Sequence, residues 1–212
     1  MAAKNSDSRY GWVAIAFHWL MVPAVLGLFA LGWWMRQLSY YDPWYRQGPE
    51  IHKAIGILLL IALLLRLCWK CLNRRPAELP GTPRWQALAA RLTHGGLYLL
   101  LLASMLSGYL ISTADGRAID VFGLFSVPAT LQGLTNQEDI AGEVHEILAW
   151  TLMALVALHA LAALKHHFID RDANLLRMLG KRAKPATPGK SCSPEGQRGS
   201  NPASNSNPST VK

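Results

Sequence analysis

Charge is what this chain has least of. Asp, Glu, Lys and Arg make up 16% of its 212 residues, against roughly 25% in a soluble domain. Acidic residues are the scarcer sign, 13 against 21 basic ones. The shortage is concentrated in long runs. Gly11 to Met35, "GWVAIAFHWLMVPAVLGLFALGWWM", carries no charge at all, and neither does "LTHGGLYLLLLASMLSGYLISTA" (Leu92 to Ala114) or "ILAWTLMALVALHALAAL" (Ile147 to Leu164). A further run, "IHKAIGILLLIALLLRLCW" (Ile51 to Trp69), is charged only toward its ends, at Lys53 and Arg66, where long side chains reach the headgroups. Such runs exclude an ordinary water-soluble fold.

Two other absences narrow the reading. No small-residue cleavage region follows the first run, which ends "GWWMRQLSYY", so it reads as a membrane helix and not a signal peptide. Cysteine is sparse, with three residues. Cys68 and Cys71 form a CxxC, but "LNRR" follows it where a covalent haem attachment motif needs His. A reduced, structural thiol pair at a helix end is the reading that remains. Cys192 falls near the C-terminus.

What is present fits a membrane. About 20 apolar residues in a helix cross the hydrocarbon, so the runs predict an all-α, integral-membrane, up-down four-helix bundle. The helices are expected at about 11–35, 49–72, 84–113 and 138–168, in a domain spanning 1–182. Tyr10, Trp12, Trp33, Trp34, Trp69, Trp85 and Tyr109 lie near the run ends, where aromatic rings favour the interface. From Pro185 the chain is Pro, Ser, Asn and Gly with little apolar content, which predicts a disordered cytoplasmic tail over 183–212. "FGLFSVP", in the link after Asp115, is apolar enough to dip into the interface.

Lys and Arg set the orientation. Lys70, Arg74, Arg75 and Arg84 crowd the second link, and "KHHFIDRDANLLRMLGKRAK" follows the last run. The third link has Arg117 against Asp115, Asp120, Glu138 and Asp139. The positive-inside rule therefore expects both termini in the cytoplasm. A basic rim facing anionic lipid accounts for the net charge of +8 with no nucleic acid partner.

Histidine is where chemistry enters. Of the seven, His18, His52, His94, His145 and His159 fall in or at the apolar runs, and His166 and His167 follow the last one. His145 and His159, fourteen residues apart, share a face of one helix at depths about 21 Å apart. Helix two enters from outside, which puts His52 level with His145. Helix one enters from inside, which puts His18 level with His159. Two histidine layers result. Imidazoles facing each other in a bundle, with no carboxylate or thiolate, suit haem iron, whereas zinc takes three or four ligands at one level. Arg66, fourteen residues from His52, faces the inner layer and is placed to pair with a haem propionate or to reach lipid phosphate. The same step from His18 and His94 leads to Gly32 and Gly108, leaving room at the outer layer. His94 competes for the inner layer, and spacing does not choose between it, His18 and His159.

The chain resembles the bacterial cytochrome b561 family, through "RYGWVAIAFHWL", "IHKAIGILLLIALLLRL", "HGGLYLLLLASMLSGY", "HEILAWTLMALVALHALAALKHHF" and "DANLLRML". The resemblance covers about Arg9 to Leu179. It implies two haem b groups, the inner on His18 and His159 and the outer on His52 and His145, with His94 a helper near a propionate. It implies a bacterial inner membrane protein of the respiratory chain that exchanges electrons with ubiquinone, in some members as a superoxide oxidase. His166 and His167 would then bond a quinone carbonyl, or lie solvated among headgroups. Lys53 would attract superoxide at the outer face, or anchor the helix. With both axial positions filled by His, electron transfer is the expected role. Two other readings stay open: a cytochrome subunit docked to a partner dehydrogenase or hydrogenase, and a haem-free transport or scaffold module.

Overall fold

The computed structural model describes residues 2–181 apart from 8, 75 and 80. The tail expected over 183–212, with Cys192, lies outside the described residues. Among those described are four helices long and apolar enough to cross a bilayer: α1 Trp12–Met35, α2 Gln47–Leu72, α3 Arg84–Ser112 and α4 Gln137–Phe168. Each lies within two residues of its expected bounds. Hydrocarbon offers the backbone no hydrogen-bond partner, so an apolar run this long must satisfy its own peptide groups as a helix. α1 nevertheless carries Pro23 in its interior, as membrane helices do where their surroundings re-satisfy the freed carbonyl. In α4 the charge order also helps: Glu138 and Asp139 sit in the first turn and Lys165, His166 and His167 in the last, matching the helix dipole.

The bundle packs α1 along α2 and α3 along α4. Its core is narrow, formed by Met21 and Leu28 of α1, Leu59 and Leu63 of α2, Leu101 of α3 and Leu152 of α4. Leu20, Leu99, Leu158 and Leu161 stay exposed on the outside. In water such faces would drive association; in a bilayer lipid covers them.

The two ends of the bundle differ. At one end the α3–α4 link folds into an antiparallel hairpin, β1 Ile119–Val121 with β2 Phe125–Val127. Ile119 and Val121 pack on Ala54 and Ile57 of α2. Of the stretch read from sequence as an interfacial dip, Val127 packs on this cluster, while Phe122, Leu124 and Phe125 stay exposed. Asp120 accepts from the backbone N–H of Gly123 at 2.8 Å, holding a turn in which Phe122 takes φ 53°. Tyr109, expected as an interface anchor, instead donates its hydroxyl to the Pro128 carbonyl at 2.7 Å and bonds Thr130. It ties the link to α3.

At the other end the described chain termini and the α2–α3 link interlock. Asn5 donates to the Arg74 carbonyl at 2.9 Å, and Ala77 to that of Asp7 at 2.8 Å. The short helix α5 (Asn174–Met178) closes the cap: Trp19 donates to the Met178 carbonyl and Arg177 to that of Ala77, each at 2.9 Å. An even number of crossings returns the chain to this terminal end.

Candidate functional site

Helix α4 positions both histidine layers. Toward the terminal end, His159 faces His18 of α1 with ring centroids 6.5 Å apart. Toward the hairpin end, His145 faces His52 of α2 at 6.3 Å. Two imidazoles sharing one metal ion through bonds of about 2 Å have ring centres roughly 6 Å apart. Both pairs match that spacing before any ligand is added. His94 of α3 also reaches the terminal-end layer, where its ring makes a shorter, edge-on contact with that of His159 at 5.2 Å. Among the described residues no group of three or more His, Cys, Asp or Glu gathers as a metal site. Facing histidines without carboxylate or thiolate are a donor set that iron in a porphyrin accepts.

The surroundings of the two pairs are not alike. In the hairpin-end layer, His145 Nδ1 lies 2.9 Å from the Ser104 carbonyl oxygen and 3.0 Å from Ser107 Oγ. His52 Nδ1 is buried with no partner. Glycines make room for both rings. A Cβ at Gly32 would sit 3.1 Å from Cε1 of His52, and one at Gly108 would sit 3.1 Å from Cε1 of His145. From sequence these glycines left space for a flat cofactor; here the imidazoles themselves occupy it.

In the terminal-end layer, Arg66 Nη2 lies 3.4 Å from His18 Nδ1 and Nη1 lies 3.5 Å from Met21 Sδ. The guanidinium carbon is 5.5 Å from the centre of the Tyr98 ring, and Lys70 Nζ is 4.2 Å from it. The layer therefore combines three histidines with two cations against one aromatic ring. That is an anion-receptive edge, suited to carboxylates such as propionates.

The remaining candidates are engaged in other ways. Lys53 bonds Glu50 at 2.6 Å, which moderates its pull on an approaching anion. His166 Nδ1 lies 2.8 Å from Asp170 and 3.2 Å from Asp172. Lys165 bonds Asp170 at 2.7 Å and, with His166, holds that carboxyl below the usual carboxylate range. His167 Nδ1 is buried without a partner. Cys68 and Cys71 are exposed free thiols. Sequence reasoning missed Ser104, Ser107, Tyr98 and the Asp170–Asp172 pair. The available signal for the serines was two hydroxyls, one turn apart, within the charge-free run and just before Gly108.

Comparison with known proteins decides the family. The model of the prokaryotic cytochrome b561 family matches residues 9–181. The chain belongs to that family. It is 53% identical to cytochrome b561 homolog 2 of Escherichia coli K12, over 85% of this chain and 96% of that protein. It is 31% identical to cytochrome b561 homolog 1 of the same organism, over 82% of this chain and 99% of that one. A probable superoxide oxidase, CybB of Yersinia pestis, is 30% identical over 82% of this chain and 97% of its own length. Membership makes this a bacterial membrane protein of electron transfer with b-type haem, and it removes the haem-free transport or scaffold reading. The facing histidines fit that cofactor by spacing and donor chemistry.

Proposed function

We propose that this cytochrome passes electrons across the bilayer between an outer and an inner haem, oxidising superoxide outside and reducing ubiquinone. The paired histidine layers on one helix carry the reading, supported by likeness to a probable superoxide oxidase. His52 and His145 would hold the outer haem, and His18 and His159 the inner one. Haem b bound there supplies a one-electron ferric–ferrous couple. Each haem, held by two imidazoles, would leave no open site for substrate on its iron, which would keep the protein to electron transfer. The terminal end, with its Lys and Arg excess, is placed in the cytoplasm and the hairpin end outside.

Each accessory residue has a role at a stated atom. Lys53 draws an anion toward the outer pair, its field shared with Glu50. His166, held through Nδ1–H by Asp170 and Asp172, would donate Nε2–H to a quinone carbonyl in its doubly protonated form, and the carboxylates offer it a path to cytoplasmic protons. His94 adds a donor beside the inner propionates. One experiment tests function and orientation together. Superoxide generated outside right-side-out vesicles should reduce the purified, reconstituted cytochrome without any other protein, and added ubiquinone should reoxidise it. Reduction only by superoxide generated in the lumen would reverse the topology. No reduction from either side would favour a cytochrome subunit fed by a partner dehydrogenase or hydrogenase.

Arg66 offers a separate check. A neutral His18 that ligates through Nε2 carries its proton on Nδ1, where it faces the donors of Arg66. The guanidinium must then turn toward an anion, and a propionate is the anion the bound cofactor provides. Arg66→Leu should lower the inner haem potential by removing a nearby positive charge. The loss is on the order of 1 kcal/mol, or about 40 mV for one electron. A redox titration showing both potentials unmoved would return Arg66 to a lipid-facing role.

A further inference from the structure

The contacts of His145 permit one neutral tautomer. Its Nδ1 is 2.9 Å from a carbonyl oxygen, that of Ser104, which has no proton to give. A lone pair on Nδ1 would face a lone pair on that oxygen, so Nδ1 carries the hydrogen. Ser107 completes the arrangement. Its hydroxyl donates to the same Ser104 carbonyl at 3.0 Å, and so presents a lone pair to Nδ1–H, also at 3.0 Å. All three contacts are satisfied together only in this assignment. It leaves Nε2 unprotonated and free to bind iron. Gly108, one residue on, keeps the ring flat against the helix, since a Cβ there would lie 3.1 Å from Cε1 and 3.4 Å from Nδ1. His52, across the layer, has no partner for its Nδ1.

We infer that Ser107 is a positioning residue for the outer haem: the Ser104 carbonyl fixes the tautomer of His145 and Ser107, as a second acceptor for Nδ1–H, fixes its ring plane, making it the anchored ligand and His52 the unanchored one. The inference rests on the assignment of His145 as a haem ligand. A ligating imidazole that donates its other N–H gains electron density at the ligating nitrogen and stabilises the ferric state, and losing such a partner typically weakens metal retention about 10- to 100-fold. The inner pair has no equivalent: His18 Nδ1 faces a guanidinium donor instead.

The test uses the purified holoprotein. Ser107→Ala should raise the midpoint potential of one haem, the one lost in His145→Ala, and make it dissociate about tenfold faster on dilution. Ser107→Thr should restore both properties by restoring the hydroxyl. Ser112 is the control, because its hydroxyl bonds the Gly108 carbonyl of the same helix and touches no histidine; Ser112→Ala should move neither value. Should Ser107→Ala not assemble, Ser107→Cys, of similar volume and weaker polarity, should show the same upward shift. An unmoved outer potential in whichever variant assembles, or an equal shift in Ser112→Ala, overturns the inference. Two haems retained in His145→Ala would instead overturn the ligand assignment beneath it.

Discussion

Replacing His159 by Ala is expected to remove one haem and spare the other. On the proposed assignment, content should fall from two haems per chain to about one, because a haem that loses one of its two imidazoles would lose much of its hold on the protein. His159 is the deepest histidine on α4, and its ring stands 6.5 Å from that of His18, so His18→Ala should give the same remaining spectrum. His52→Ala and His145→Ala should form a second pair with the complementary spectrum, since those rings are 6.3 Å apart in the other layer. His94→Ala should keep both haems, with the inner potential altered. Haem quantification and low-temperature spectra of the five variants read this directly. If His94→Ala matches His159→Ala while His18→Ala keeps two haems, the inner pairing is His94 with His159.

Gly108→Leu and Gly32→Leu are expected to act on the outer layer alone. Each glycine lies against an imidazole, where even a Cβ would approach to 3.1 Å. A longer side chain must displace the ring, and a ligand moved by an ångström no longer shares its ion. The outer haem should be lost, leaving the spectrum of His145→Ala. Gly27 and Gly56 are the comparison, because a Cβ at either meets nothing within 4 Å. Gly27→Ala and Gly56→Ala should retain both haems, with a gain of up to about 1 kcal/mol in helix stability. Equal haem loss in all four variants would mean that these glycines serve helix packing in general.

Much of this protein could be read from its residues. A charge-free run of the right length has one solution in hydrocarbon, so the four helices, their bounds and their alternating directions followed from composition alone. So did the two layers, because a fourteen-residue step on one helix and opposite chain directions on its neighbours fix depth by arithmetic. The glycine at each outer position was legible by the same step. Depth, however, is only one coordinate. Three histidines reach the inner level, and only the rotation of each helix about its axis separates the 6.5 Å pair from the 5.2 Å contact. Rotation is set by packing against neighbours, through contacts such as those of Met21, Leu63 and Leu152, that a single run does not contain. The Ser104–Ser107 cradle, the placing of Arg66 beside His18 and the hairpin folded onto α2 all belong to this class. Each joins residues distant in sequence, and each depends on which faces the helices turn toward one another.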